Sequence, residues 1–266
     1  MTNPKEIIKY WYGQIGFPMG YDEAFERALE TYEIDPQMKV ATYVDKGDGA
    51  ENFLYFLYFC EELRRGYQEK GISEEIMRQT VSDLPVWLDI WSELKGGMYL
   101  GELDWLEWHF TMKLFKLGRL QYCFKTMDRD IQELGVAKGD KVIDMHIPAL
   151  GPLRPEDCIE SLDMARAFFA KHYPEYKYEY FTCHSWLLDE ELVELLGENS
   201  NIVKFGRMFK IVERFESDDI LNYTLRWKIK REEVGYVEPK SALARKVKKL
   251  ALEGKVFHGG YGFIFS

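Results

Sequence analysis

Only four cysteines occur in this chain of 266 residues, Cys60, Cys123, Cys158 and Cys183, and no two form a Cys-x-x-Cys pair. That spacing excludes a zinc knuckle and a dithiol redox motif, and it fits a reduced, cytoplasmic setting. Long apolar runs are missing as well. The longest, Phe53 to Cys60, falls far short of the ~20 residues that span a bilayer. Met1-Thr2-Asn3-Pro4-Lys5-Glu6 has no basic segment leading into an apolar stretch, so no secretory signal is expected. Positive charge is in deficit: 35 Lys and Arg against 45 Asp and Glu leave a net charge of -10, a field that repels nucleic acid and anionic membranes. Lys246-Val247-Lys248-Lys249 is short and reads as the solvated face of a helix. The chain has no internal repeat, no His-x-x-x-His and no clustered acid and histidine spacing, so no metal motif is present. Gly259-Gly260-Tyr261-Gly262 lies within an alternating stretch and opens no helix, which denies it the geometry of a phosphate loop.

What the chain holds in quantity is apolar and aromatic surface. Hydrophobic residues make up 46%, with 17 Tyr, 17 Phe and 7 Trp, enough for one large core or two of moderate size. Helical spacing dominates the N-terminal part. Asn3-Pro4 opens a helix carrying Ile7, Ile8, Trp11 and Tyr12, and Tyr21 to Tyr32 carries Phe25, Leu29 and Tyr32 on one stripe. Asp48 to Lys70 is apolar nearly all round over Phe53 to Phe59, which predicts a helix buried by several neighbours. Ser73 starts a fourth helix that Pro85 kinks or restarts before Leu94, and Glu102 through Lys116 is predicted as a fifth, with Leu106, Phe110 and Leu114 in register.

Beyond Gly118 the texture turns to strands, at Leu120 to Phe124, Lys141 to Ile147, Tyr178 to Cys183, Arg207 to Phe215 with a bulge or bend at Gly206, and Phe257 to Phe265. Helices are predicted between them: Arg154 to Pro174, a short one capped by Asp189 and closed by Gly197, one from Ser217-Asp218-Asp219 to Trp227, and Ser241 to Glu253. Ser200-Asn201 reads as a loop. The fold class is therefore α+β, an N-terminal helical bundle over 1–117 followed by a mixed α/β sheet domain over 118–266.

Residues suited to chemistry concentrate between Asp144 and Phe209, which reads as a strand, a crossover helix and a second strand ending in Cys183-His184-Ser185-Trp186. Side chains alternate along a strand, so Asp144 and His146 share a face. A histidine at a strand end beside a carboxylate can take a proton from an amine or a hydroxyl. The alternative is a core histidine bonded to backbone. Alternation also points His184 away from Cys183, so the triplet forms no dyad by itself. If the two strands are neighbours, His146 can approach Cys183 or Ser185 as a nucleophile and base pair; the alternative for Cys183 is a small buried hydrophobe. Trp186 reads as packing or as cleft lining, and Asn201 as a local loop contact or a donor to a carbonyl oxygen.

Several of these residues recur in a known pattern. His146-Ile147-Pro148, Pro152-Leu153, Ser161, Ala165, Phe168-Phe169, Pro174, Cys183-x-Ser185-Trp186-Leu187-Leu188, Ser200-Asn201-Ile202-x-x-Phe205 and the junction Gly118-Arg119-Leu120-Gln121 resemble the bacterial acyltransferase-domain proteins. Those proteins pair a helical N-terminal domain with a GNAT-like C-terminal domain. The resemblance implies transfer of an acyl group from acyl-CoA, as co-substrate, to a small amine or hydroxyl acceptor by direct attack with a general base. His146 is the expected base and Cys183 or Ser185 a proton relay or acyl acceptor. Trp105, Trp108 and Trp186 are expected as apolar walls of a cleft between the two parts, with Arg119, Gln121 and Asn201 as further substrate contacts. The Arg/Gln-x-x-Gly-x-Gly/Ala turn that typically holds the CoA pyrophosphate does not occur in the C-terminal half. Its near match, Gln68-Glu69-Lys70-Gly71-Ile72-Ser73, sits at a helix end in the N-terminal part. Two other classes stay open: a non-catalytic small-molecule binding or scaffold protein that retains the GNAT-like fold without CoA, and a hydrolase with Cys183 or Ser185 as nucleophile. No metal, nucleic acid or membrane partner is expected.

Overall fold

The computed structural model describes residues 3–149 and 151–266. Met1 and Thr2, the start of the stretch read above for a signal, lie outside them. Contacts divide the chain into two compact units, Met1–Leu117 with Gln121–Cys123, and Gly118–Leu120 with Phe124–Ser266.

The first unit is helical: α1 (Pro4–Ile15), α2 (Asp22–Thr31), α3 (Gly49–Glu69), α4 (Glu74–Val81), α5 (Asp83–Lys95) and α6 (Leu103–Phe110), then the strand β1 (Leu114–Leu117). Side-chain caps set three of the starts. Asn3 accepts from the Lys5 amide, Asp48 from the Ala50 and Glu51 amides, and Ser73 from the Ile76 amide. The middle helix α3 is enclosed as its all-round apolar sequence requires, with Phe53, Leu54, Phe56 and Leu57 buried. The fifth predicted helix stops early. Leu106, Phe110 and Leu114 keep helical spacing, yet α6 ends at Phe110, Met112 takes a positive φ of 57°, and Leu114 opens β1. There the Lys116 amide donates to Thr80 Oγ1 (3.0 Å), a tertiary bond that spacing cannot reveal.

A polar knot sits inside this apolar unit. His109 is fully buried, with Nε2 3.2 Å from Asp83 Oδ2 and Nδ1 3.1 Å from the Trp105 carbonyl oxygen. Trp105 Nε1 donates to the same carboxylate oxygen at 3.1 Å, and the Gln121 amide lies 3.4 Å from His109 Nε2. Burial alone raises the Asp83 pKa, but bonds from His109, Gln121 and Trp105 outweigh it and hold the carboxyl below its ordinary value.

The second unit is built on the sheet. After β2 (Leu120–Thr126) come β3 (Lys141–His146), α7 (Pro155–His172), β4 (Tyr180–Ser185), α8 (Leu192–Leu196), α9 (Asn201–Gly206), β5 (Lys210–Glu216), α10 (Asp219–Thr224), α11 (Ala242–Leu252) and β6 (His258–Phe265). Strand order is β1-β2-β3-β4-β6-β5, with β3 and β4 parallel and β6 antiparallel to both β4 and β5. Helix α7 is the crossover between the parallel pair and buries Cys158, Ser161, Leu162, Ala165, Phe168 and Phe169. Phe124 meets Phe169 edge-on at 5.5 Å, and Arg166 covers the Phe181 ring at 5.7 Å, which identifies the α7 side of the sheet. The opposite side carries Val142, Tyr261 and Phe263 against Met127 and Val136.

Local assignments change in five places. Strand β4 runs on to Ser185. Asp189 is not the N-cap of α8, a position held by Glu191: its Oδ1 accepts from the Glu191 amide (3.3 Å) and pairs with Arg214 Nε (3.2 Å). Ser200 accepts from the Ile202 amide and so caps α9 where a loop was expected. Helix α10 ends at Thr224, and the bulge of β5 lies between Ile211 and Glu213 while Gly206 ends α9.

Arg119, at the turn made by Gly118 with its positive φ of 69°, is committed to structure. Its guanidinium donates to the carbonyls of Pro152 (2.8 Å), Pro148 (3.1 Å) and Gly151 (3.2 Å), clamping the loop between β3 and α7. No described helix is long and apolar enough to cross a membrane.

Two outcomes follow. Asp83→Asn is expected to cost about 1.5–3 kcal/mol in a urea titration at neutral pH, since hydrogen bonds to a charged group are lost. A depressed folded-state pKa gives stability that is whole above the unfolded value of about 3.9 and lost as pH falls through the folded value, so the gap to wild type narrows below about pH 4. Arg119→Ala is expected to cost about 1 kcal/mol, while hydrogen exchange at the Gly151 and Leu153 amides quickens by about tenfold or more as the loop is released.

Candidate active site

Strand alternation and the parallel register assemble one polar face in the second unit. Ile143 pairs with Phe181 and Asp144 with Thr182, and Thr182 Oγ1 donates to Asp144 Oδ1 at 2.5 Å, so these two side chains share the face away from α7. Two residues further on, the same face carries His146 on β3 and His184 on β4. Lys125 reaches it from β2, with Nζ 3.2 Å from Asp144 Oδ1, and His146 Nε2 stands 3.6 Å from Asp144 Oδ2. Asp144 is only 7% exposed, whereas the His146 side chain keeps 30% of its surface open. The carboxylate is thus a buried anchor and the imidazole a reachable group.

His184 and Tyr261 complete the face, being register partners across β4 and β6. His184 is exposed, and its ring stacks on Phe215 at 3.9 Å and 8°. Partial burial first, then the nearby Lys125, pushes its pKa below the ordinary value, with Asp144, Asp219 and Glu213 opposing. Burial likewise raises the Tyr261 hydroxyl, against Lys125. The Tyr261 ring lies 5.1 Å from Lys125 Nζ and 5.8 Å from the Arg129 guanidinium, and Arg129 pairs with Glu213. The arrangement offers two imidazoles, one carboxylate and one ammonium on one sheet surface, the equipment for moving protons to and from a bound nucleophile.

The expected partnership of His146 with Cys183 or Ser185 does not form. Cys183 alternates with Thr182 and His184, so it points to the α7 side of the sheet, fully buried, and burial pushes its thiol well above the ordinary value. Ser185 shares that side and accepts from the Leu187 amide at 3.2 Å, closing the 3-10 turn Trp186–Leu188. Trp186 is core instead of cleft wall, 8% exposed among Leu192, Ile220, Leu221 and Val247. Asn201 is half-buried in the first turn of α9, beside the capping Ser200. Arg119 spends its donors on loop carbonyls. In the first unit, Trp105 and Gln121 belong to the buried knot around Asp83, and Trp108 is 39% exposed with its ring 5.8 Å from that of Trp105.

Lys125, Thr182, His184 and Tyr261 were not singled out from sequence. His184 was within reach of that reading, since alternation already turned it away from Cys183; its sharing of a face with His146 needed the strand register. Elsewhere in the unit, Asp189, Glu191 and His258 bring one potential ligand atom each within 4.8 Å of one another. Arg214 and Lys255 already neutralise that group: Arg214 lies 2.5 Å from Glu191 Oε1 and 3.0 Å from His258 Nδ1, and Lys255 lies 2.6 Å from Glu191 Oε2.

Similarity to known proteins follows the same division of the chain. The family described as N-acyltransferase N-terminal domain matches residues 18–112, and that described as GNAT-like C-terminal domain matches residues 114–264. Among solved structures, a mutant acyltransferase in complex with octanoyl-CoA is 23% identical, with a TM-score of 0.79 over 98% of this chain and 88% of that one. An acyltransferase in complex with decanoyl-CoA and teicoplanin is 23% identical, with a TM-score of 0.78 over the same shares, 98% and 88%. A third, in complex with decanoyl-CoA, is 24% identical with a TM-score of 0.74 over 97% and 86%. At such identities the likeness is one of fold. Among curated proteins none matches. Because the C-terminal match alone spans more than half of its length, the chain belongs to the family in which an N-acyltransferase N-terminal domain precedes a GNAT-like C-terminal domain.

Proposed function

We propose that the protein transfers an acyl group from acyl-CoA to a small amine or hydroxyl acceptor, with a helical domain over 1–117 and the catalytic domain over 118–266. The observation that carries this reading is the reachable His146 imidazole beside the buried Asp144 carboxylate at a strand end. Family membership supports it, as do the octanoyl-CoA and decanoyl-CoA held by proteins of the same fold.

His146 accepts a proton from the acceptor as its nitrogen or oxygen attacks the thioester carbonyl, and Asp144 stabilises the imidazolium formed. Collapse of the tetrahedral intermediate breaks the C–S bond, and the imidazolium returns the proton to the departing thiolate. The sheet supports a place for the co-substrate. Strands β3 and β4 register at Ile143–Phe181 and Asp144–Thr182, while β4 and β6 hold six pairs, from Tyr180–Phe265 to Ser185–Gly260. Beyond Asp144 and Thr182 the facing edges of β3 and β4 carry backbone groups able to bond the amides of a pantetheine arm. Burial of Cys183 argues against its serving as the acyl acceptor. The four free cysteines and the acyl-CoA co-substrate suit the cytoplasm.

Mass spectrometry of reactions with octanoyl-CoA or decanoyl-CoA and a panel of amines and alcohols tests the reading. Wild type is expected to form acylated product and release CoA. His146→Ala is expected to lower kcat by about 100-fold with little change in the KM for acyl-CoA, and Cys183→Ala to keep kcat within about threefold. No product and no thermal shift with any acyl-CoA would replace catalysis by the binding or scaffold role.

A further inference from the structure

A second imidazole on the same face has no part in the mechanism above, and the surrounding structure holds it in place with unusual economy. Phe215 lies flat against His184 at 3.9 Å and 8° because Gly259, its register partner on β6, leaves room: a Cβ at Gly259 would come within 2.6 Å of the Phe215 ring and 3.1 Å of the Ser185 carbonyl oxygen. One face of the His184 ring is therefore covered, while the residue as a whole is exposed. The Tyr261 ring on β6 lies 6.1 Å away, and the charges that act on His184 are those of Lys125 on β2, Asp144 on β3, Glu213 on β5 and Asp219 on α10.

We propose that His184 is a second catalytic base, specific to acceptors that arrive as primary alkylammonium ions. This rests on the reading of His146 as the base of the transfer step. An alkylammonium must lose one proton before its nitrogen has a lone pair, and a second once that nitrogen has bonded to the acyl carbon. A hydroxyl loses only one. His184 takes the first proton, leaving the neutral amine, and returns it to water. The amine then attacks the thioester, His146 takes the second proton, and the C–S bond breaks as His146 protonates the thiolate. The products are the amide, free CoA and one proton released to solvent, so atoms and charge balance.

The test compares an alkylamine with an arylamine, which is already neutral at pH 7, using octanoyl-CoA and the full-length protein. His184→Gln is expected to lower kcat/KM for the alkylamine by about tenfold or more at pH 7, but by less than about threefold for the arylamine. The alkylamine loss is expected to shrink toward pH 10, where the amine deprotonates in solution. Phe215→Leu, which removes the stacking partner, is expected to give a smaller loss with the same pH signature. Equal losses on both nucleophiles at every pH would reduce His184 to a structural residue, and no loss on either would remove it from the reaction; both overturn the proposal. His146→Ala separates this result from failure of the underlying reading, because it is expected to impair both nucleophiles alike.

Discussion

Asp144 is 7% exposed, and burying a carboxylate so far from water is costly unless donors or cations face it. Lys125 on β2, Thr182 on β4 and His146 two positions along β3 supply those partners. Each contact comes from a different strand position, so one anion ties three neighbouring strands and sets the register in which β3 and β4 run side by side. Removing any partner would leave the anion under-compensated. The same constraint brings His146 and His184 onto one surface, since each lies two residues beyond a member of the Asp144–Thr182 pair.

The two faces of the sheet divide the work. Toward α7, Phe124 meets Phe169 edge-on, Arg166 covers the Phe181 ring and Cys183 is fully buried. On the other face Lys125, Asp144, His146, His184 and Tyr261 keep charge and proton-transfer groups together, edged by the apolar cluster of Met127, Val136, Val142 and Phe263. A cysteine directly beside a histidine in sequence thus ends on the inert face, and a histidine on another strand becomes the neighbour that matters.

Most elements were legible because their signals are local. Asn3, Asp48, Ser73 and Ser241 cap helices where their side chains can bond the next amides, and Pro155 opens α7. Errors arose where a tertiary bond competed with a local pattern. Leu114 continued the spacing of α6 but joined a strand whose Lys116 amide finds Thr80. Asp189 resembled a cap; its carboxylate bonds the Glu191 amide one residue short of α8 and pairs with Arg214. Arg119 and Gln121 resembled ligand contacts, yet one is consumed by loop carbonyls and the other buried at 1% exposure in the Asp83 and His109 knot.

What the sequence by itself determined is the order of elements, the helical part followed by a mixed sheet, and the pairing of Asp144 with His146 on one face, because period-two and period-3.6 patterns follow from backbone geometry alone. Tertiary structure alone decided which strands are neighbours and in what register. That information is non-local, held in contacts such as Thr182 to Asp144 and Phe215 over Gly259, and it puts His184, not Cys183, on the face that carries His146.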